Sequence, residues 1–212
     1  RVASRGLGDV YKRQVDFIAV SYVRSADDLE PARERIKQAG VHTWIVAKIE
    51  HPAALKDLNA IVEAADVVMV ARGDLGVEIP LEEVPAAQER IVSACLERGT
   101  PVVVATQMLE SMVNHARPTR AEVTDVATAI RQHVSAVMLS GETAGGQHPV
   151  KAVETMARIA ETVDASTADL PEPPALAAYV STRVIAGAAV DIARQTNVNH
   201  LIVATEHGNA AR

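Results

Sequence analysis

Charged side chains stand at the ends of two apolar runs in this sequence. Lys48 and Glu50 end the run that begins at Trp44, and Asp74 follows the run 67–71. Because alternate residues of a strand project to the same side, Lys48 and Glu50 are predicted to share one face where their strand ends. Two carboxylates, with water and substrate oxygens, form the usual environment of Mg²⁺, and an ammonium group beside them stabilises negative charge that develops during a reaction. The residue types and spacing therefore predict a magnesium site for an anionic substrate, with Glu50 and Asp74 as metal ligands.

The glycine before Asp74 adds to this prediction. Gly73 lets a ligand approach the backbone closely, and the turn after it can begin a short helix whose free N–H groups bind an anion. The alternative for Lys48 and Glu50 is a solvated ion pair at the surface, and the two residues alone do not decide between the possibilities. Asp74 at the tip of the next strand favours the magnesium site.

Strand-like and helical patterns alternate along residues 15–164. Each strand-like run is followed by an amphipathic pattern, and spacings of roughly 20 to 35 residues indicate parallel strands joined by right-handed helical crossovers. The runs are Phe17 to Val20, Trp44 to Ile49, Val67 to Ala71, Val102 to Thr106 and Ala136 to Leu139.

Two architectures fit this series: an open, doubly wound sheet and a closed (β/α)₈ barrel. No Gly-x-Gly-x-x-Gly segment follows any run, which removes the dinucleotide-binding version of the open sheet. Four of the five runs lead into a polar group within three residues. Polar groups at consecutive strand tips converge at a barrel mouth, whereas an open sheet collects them only at its switch point. We therefore predict an α/β fold, a partial TIM barrel of about five β/α units.

Capping residues predict where several helices begin and end. Thr119 and Glu122 form a capping box, Gly99 suits a C-terminal stop, and Pro149 suits the first turn of the last barrel helix. The side chains predicted on the buried face of that last helix are Val153, Met156, Ala160 and Val163.

The two ends of the chain differ from this pattern. Residues 1–14 show neither a helical nor a strand period, and we expect them to be a truncated or foreign end. Residues 165–175, rich in proline, are predicted to be a linker. A helix over 177–195 and a strand over 201–204 then predict the start of a second α/β domain, over 176–212. We expect the whole chain to be a fragment.

Composition excludes several functional classes. The chain has 212 residues, a net charge of −6 and one cysteine, Cys95. Mild acidity without a basic cluster argues against nucleic acid, and the lone cysteine fits a reducing cytoplasm. No apolar run reaches the roughly 18 to 20 residues of a membrane helix, so no membrane partner is expected. The seven histidines show no metal-ligand spacing.

Five segments of the sequence resemble pyruvate kinase, in order and at that family's spacing over about residues 15–164. These segments are Ala47 to Glu50, Met69 to Glu78, Ala105 to Met112, Arg117 to Val123 and Val137 to Ala144. The resemblance implies a glycolytic enzyme that transfers the phosphoryl group of phosphoenolpyruvate to ADP and then protonates the enolate to pyruvate. Residues 171–212 resemble, more weakly, the start of that family's C-terminal domain.

The resemblance also implies roles for single residues. Glu50 and Asp74 become the Mg²⁺ ligands, and Lys48 becomes the catalytic cation that stabilises the phosphoryl group and the enolate. Arg72, Gly73 and Asp74 form a substrate-binding loop, in which the backbone of Gly73 and Asp74 holds the substrate carboxylate while Arg72 supports the loop. Thr106 lies beside the methylene carbon of the substrate, where its hydroxyl takes part in a proton relay.

Some neighbours of these residues are expected to support the site. Ser140 and Glu142 follow the last strand, and Ser21 follows the first, in a pattern where Tyr22 replaces the family's usual phenylalanine. The resemblance further implies a homotetramer and a monovalent cation, K⁺, with ligands expected in strands that precede Val15. Because those strands and a lid domain are missing, we expect the isolated chain to lack kinase activity. The alternatives are a Mg²⁺-dependent barrel lyase or aldolase that handles an enolate, and an inert partial barrel.

Overall fold

The computed structural model describes residues 15–166, 188–189, 191–193 and 195–196. The segment 1–14, the strand predicted over 201–204, and most of the predicted linker and second domain lie outside these residues. Helix is present at 188–189, 191–193 and 195, within the helix predicted over 177–195.

The five predicted strands form one parallel sheet. They are β1 (Phe17–Val20), β2 (Trp44–Ile49), β3 (Val67–Ala71), β4 (Val102–Ala105) and β5 (Ala136–Met138). Their order in the sheet is their order in the sequence. Because the strand order of a doubly wound sheet reverses at its switch point, this uninterrupted order confirms the partial barrel.

The two faces of the sheet have different environments. Ile45, Val68 and Val104 project to one face and are fully buried in the core that the helices form with the sheet. The register pairs Lys48 with Met69, so these two side chains share the opposite face, which is the interior of a barrel. The site residues therefore project from the C-terminal ends of the strands toward the barrel interior.

The helices follow the strands as predicted. The α-helices of residues 15–166 are α1 (Glu30–Ala39), α2 (Pro52–Lys56), α3 (Leu58–Ala64), α4 (Arg72–Glu78), α5 (Val84–Arg98), α6 (Arg120–Arg131), α7 (Gly141–Ala144) and α8 (Pro149–Ser166). The capping box at α6 is confirmed, since the Glu122 N–H donates to the Thr119 hydroxyl and the Thr119 N–H donates to the Glu122 carboxylate. Gly99 ends α5 in the left-handed conformation, at φ 65°.

The predicted buried face of α8 is partly wrong. Val153 is 52% exposed, whereas Ala152, Met156, Ile159 and Val163 are buried. The buried face of the helix therefore runs through Ala152 and not through Val153, because residues at spacings of three and four from Ala152 lie on one helix face. The helix also extends to Ser166, two residues into the predicted linker. In the part of the chain that the structure describes, no helix is both long and apolar enough to span a membrane.

Candidate active site

The ends of β1 and β2 hold Lys48 and Glu50 together. The Lys48 Nζ lies 2.5 Å from the Glu50 Oε1. The same ammonium donates to the Ser21 hydroxyl at 3.1 Å, and the Tyr22 backbone N–H donates to the Glu50 Oε2 at 2.6 Å. Glu50 is only 1% exposed, so the alternative of a solvated surface pair is wrong.

One oxygen of Glu50 can be tested for its fit to the predicted metal. Its Oε1 is buried and makes no hydrogen bond with any described residue, because the nearby ammonium stands outside hydrogen-bonding geometry in spite of its short distance. Buried polar atoms are normally hydrogen-bonded, and this oxygen is instead compensated by the charge of the ammonium, so it is an atom that can also face a metal ion. A carboxylate oxygen is a hard donor of the kind that Mg²⁺ prefers, and Glu50 therefore fits the predicted ion.

Asp74 lies on the neighbouring strand end. Ile49 pairs in register with Val70, so Glu50 and the end of β3 are adjacent, and Asp74 is in the first turn of the helix that follows β3. Asp74 is exposed. Among the described residues, no three His, Cys, Asp or Glu side chains gather into a metal-binding group. A metal at this edge would therefore depend on two carboxylates, with water and substrate as its remaining ligands.

Gly73 and Thr106 connect the ends of β3 and β4. The Gly73 N–H donates to the Thr106 hydroxyl at 2.7 Å, and that hydroxyl donates to the Ala105 carbonyl at 2.6 Å. The sequence predicts Thr106 as the last residue of β4, and this is wrong. Thr106 is the first residue after the strand and has a left-handed conformation, with φ 68°. The N–H predicted to be free for an anion is therefore occupied by a side chain in this structure.

Arg72 supports the loop after β4 rather than facing open space. Its buried guanidinium donates to the carbonyls of Thr106, at 2.8 and 3.2 Å, and of Gln107, at 3.0 Å. The other terminal nitrogen pairs with the Asp125 carboxylate at 2.6 Å and lies 3.4 Å from the Gln88 amide oxygen. Because Thr106 and Gln107 both have positive φ, these bonds stabilise a conformation that such residues rarely adopt.

Glu142 joins the loops after β4 and β5. It is fully buried, with one oxygen accepting from the Leu109 N–H at 3.0 Å and the other from the Ser140 N–H at 2.8 Å. The loop that carries Thr106 is therefore held from two sides, by Arg72 and by Glu142. This arrangement agrees with the supporting role predicted for Glu142.

One carboxyl group and one thiol group near these elements have shifted pKa values. Burial tends to raise the pKa of Glu122, but hydrogen bonds from Ser111 and Thr119 outweigh it and lower the pKa below its ordinary value. Burial raises the pKa of the Cys95 thiol to about 12. A thiol with such a pKa is not a nucleophile at neutral pH, so Cys95 belongs to the core.

Two groups at the site are absent from the sequence-based prediction. Asp125 pairs with Arg72 across 53 residues, and it is one of several polar residues of α6 that sequence pattern does not distinguish. The Tyr22 amide binds Glu50, whereas the sequence draws attention only to the side chain of Tyr22. Backbone donors carry no mark in a sequence, so nothing there could have identified this one.

The fold and the site define the class of the domain, a parallel β/α barrel with a lysine and carboxylates at its strand tips, which are residue types able to contact an anionic substrate and a divalent cation. The model of the family "Pyruvate kinase, barrel domain" matches residues 6–153. The chain belongs to the pyruvate kinase family.

Individual relatives agree with this assignment. The chain is 46% identical to a pyruvate kinase of Mycobacterium tuberculosis, over 93% of this chain and 42% of the relative. It is also 46% identical to a pyruvate kinase of Corynebacterium glutamicum, over 98% of this chain and 43% of the relative. A crystal structure of a pyruvate kinase from Cryptosporidium parvum superimposes with a TM-score of 0.84 at 36% identity, over 99% of this chain and 46% of that one. The chain thus spans less than half the length of these relatives.

Proposed function

We propose that the protein containing this chain transfers the phosphoryl group of phosphoenolpyruvate to ADP, in a Mg²⁺-dependent reaction that yields pyruvate and ATP. The observation that carries the proposal is the buried Glu50 carboxylate, whose Oε1 lacks a hydrogen bond and lies beside the Lys48 ammonium. The family resemblance supports three further parts of the proposal: a cytoplasmic location, a homotetramer, and K⁺ as a second cation.

Each site residue has a chemical role in this proposal. Glu50 and Asp74 would hold Mg²⁺, which when bound would supply positive charge to phosphate oxygens. The Lys48 ammonium stabilises negative charge that develops on the phosphoryl oxygens and on the enolate. Arg72 keeps the Thr106 loop in place through its bonds to the loop carbonyls.

The Gly73–Thr106 hydrogen bond connects substrate binding to protonation. A substrate carboxylate at the N-terminus of α4 competes with the Thr106 hydroxyl for the Gly73 N–H. A hydroxyl both accepts and donates, so with its acceptor position free of the Gly73 N–H, Thr106 could take up a proton from solvent while its own O–H proton, now donated to the Ala105 carbonyl, passes to the methylene carbon of the enolate. Binding of the substrate carboxylate would therefore replace the hydrogen bond from Gly73 that otherwise holds the Thr106 hydroxyl.

A chimera tests the proposed function. Residues 15–166 of this chain would replace the corresponding part of the Corynebacterium glutamicum pyruvate kinase, and turnover of phosphoenolpyruvate with ADP would be measured. We expect an active chimera in which Lys48→Met and Glu50→Gln each lower kcat by about 10²–10³-fold. A folded chimera without turnover, beside an active parent enzyme, would contradict the proposal. Cleavage of a keto acid instead would support the lyase alternative.

The isolated chain has a different expected result. Within the described residues, β1 and β5 are the edge strands of the sheet, and a closed barrel leaves no edge. We therefore propose that the 212-residue chain alone has no kinase activity. A lactate-dehydrogenase-coupled assay that shows rapid ADP-dependent turnover by this chain would disprove this part of the proposal.

A further inference from the structure

The two oxygens of the Glu50 carboxylate are not equivalent. Oε2 accepts a hydrogen bond of 2.6 Å from the Tyr22 backbone N–H, whereas Oε1 accepts none and faces the Lys48 ammonium. A short bond from an N–H to an ionised oxygen is stronger than one between neutral groups. One oxygen is therefore fixed by the backbone, and the other accepts no hydrogen bond from the described residues and faces positive charge.

The backbone of Tyr22 adopts an unusual conformation to make this bond. Its φ is 55°, which is an outlier for a residue with a bulky side chain. Packing of the ring does not explain the conformation, because Tyr22 is 49% exposed. Strained backbone persists where surrounding interactions hold it, and here the bond to Glu50 and the bond from Lys48 to the preceding Ser21 provide them.

An oxygen that already accepts a short hydrogen bond is the poorer metal ligand of the two, so a carboxylate held in this way favours binding a metal through its other oxygen. Mg²⁺ accepts such single-oxygen ligands in a compact octahedron, whereas Ca²⁺ takes six to eight oxygens and commonly binds a carboxylate through both. The exposed Asp74 carboxylate makes no comparable bond within the part of the chain that the structure describes and can bind in either manner, so the discrimination depends on Glu50. We propose that the Tyr22 amide determines cation specificity, an inference that rests on the metal site of the proposed function. The amide holds Glu50 Oε2 and leaves Oε1 as the single ligand atom, and the site thereby selects Mg²⁺ over Ca²⁺.

The test measures cation selectivity rather than activity. Mn²⁺ is an octahedral, oxygen-binding ion whose paramagnetic resonance signal reports its free concentration, and Mg²⁺ or Ca²⁺ can then compete for its site on the 212-residue chain. In one variant the α-hydroxy acid of tyrosine replaces Tyr22, which exchanges only the N–H for an ester oxygen. Tyr22→Gly is the matched control, because it keeps the N–H and tolerates a positive φ. Glu50→Gln reports whether Mn²⁺ occupies this site.

The expected result separates the amide from the side chain. Mg²⁺ displaces Mn²⁺ from the unmodified chain at lower concentration than Ca²⁺ does, and the ester lowers this preference by about tenfold, in the range found when a group that orients a metal ligand is lost. Tyr22→Gly retains the preference. A direct measurement on the unmodified chain accompanies the variants: the Tyr22 amide should stay protected from hydrogen exchange when Mg²⁺ is bound and lose protection when Ca²⁺ is bound.

Other results would overturn the inference. These are equal displacement by Mg²⁺ and Ca²⁺ from the unmodified chain, an ester variant with unchanged preference, a loss of preference in Tyr22→Gly, or equal amide protection with both ions. If the ester variant does not fold, the displacement and exchange measurements on the unmodified chain decide the question. Unchanged Mn²⁺ binding in Glu50→Gln would instead remove Glu50 from the proposed metal site, which distinguishes failure of the proposed function from failure of this inference.

Discussion

The backbone N–H of Gly73 is 2.7 Å from the Thr106 hydroxyl that accepts its hydrogen bond, so the ends of β3 and β4 are joined at the point where a substrate carboxylate is proposed to bind. The approach leaves little room, since a Cβ placed on Gly73 would lie 3.3 Å from the Thr106 Oγ1. Space, rather than a left-handed backbone, is what favours glycine at this position. The hydrogen bond therefore depends on the absence of a side chain at residue 73.

Gly73→Ala tests this closeness. Alanine favours the helix by up to about 1 kcal/mol, but its methyl group pushes against Thr106, so we expect little net change in stability. In the chimera, the Michaelis constant for phosphoenolpyruvate should rise about tenfold or more, because a displacement of a few tenths of an ångström misplaces the binding group. The measurements are thermal unfolding and steady-state kinetics.

Gly76→Ala is the control for this substitution. It lies in the same helix, and its Cβ would meet Leu81 and Val84 side chains at an ordinary 3.5 Å. We expect α4 to be stabilised by about 0.5–1 kcal/mol with unchanged kinetics. If Gly76→Ala impairs phosphoenolpyruvate binding as strongly as Gly73→Ala does, helix rigidity rather than contact with Thr106 is responsible.

Arg72→Lys tests the support of the loop after β4. Lysine keeps the charge near Asp125 but cannot reproduce the planar fork that bonds the Thr106 and Gln107 carbonyls. We expect a loss of about 2 kcal/mol in the free energy of unfolding, from the loss of hydrogen bonds donated by a buried charged group, and faster amide hydrogen exchange in 106–109. Urea unfolding and exchange measured by mass spectrometry check both effects.

Arg98→Lys is the matched control for that experiment. Arg98 pairs with Glu63 at 2.8 Å, but both side chains are well exposed. Surface pairs contribute little, so we expect a change within about 0.5 kcal/mol and no effect on exchange in the loop. Equal losses in the two variants would mean that the general loss of arginine, not the buried network, is responsible.

The strands and their order could be predicted because buried parallel strands appear in the sequence as continuous apolar runs. Four polar strand tips indicate a barrel, and the residue types and spacing of Lys48 and Glu50 predict where its site lies, which stays a prediction. The ends of elements are harder to predict. The sequence pattern extends β4 to Thr106, since no local feature distinguishes a left-handed threonine after a strand from an extended one within it.

Contacts between distant residues could not be predicted in the same way. Arg72 and Asp125 meet only because helix α6 returns beside the loop after β4, and polar residues on a helix do not reveal which partner they face. The error at Val153 has a related cause. Exposed apolar side chains are common, so α8 offers two neighbouring stripes, and only packing decides that the one through Ala152 is buried.

Lys48→Met tests the dependence of Glu50 on its counterion. Without the ammonium, a carboxylate that is 1% exposed keeps the Tyr22 N–H as its only hydrogen-bond donor among the described residues. We expect a loss of about 3 kcal/mol in the free energy of unfolding, and partial recovery on addition of Mg²⁺. The double variant Lys48→Met with Glu50→Gln should be more stable than Lys48→Met alone, because it also removes the buried charge. A double variant less stable than Lys48→Met would show that the pair acts mainly through packing.

The lowered pKa of Glu122 predicts how the stability of the fold depends on pH. In the folded protein, hydrogen bonds from Ser111 and Thr119 prevail over burial and lower its pKa below the ordinary value of 4.5. A lowered pKa means that the ionised form stabilises the fold. This contribution is present above about pH 4.5 and is lost as the pH falls through the lower, folded-state pKa. We therefore expect Glu122→Gln to be less stable than the unmodified chain at pH 7, with the difference shrinking below pH 4.5. Urea unfolding between neutral and acidic pH measures this difference in the free energy of unfolding.

Ser111→Ala, which removes one donor to the Glu122 carboxylate, should weaken the same acid dependence without abolishing it. A Glu122→Gln difference that stays constant across this range would show that Glu122 stabilises α6 through packing or neutral hydrogen bonds instead of through its charge.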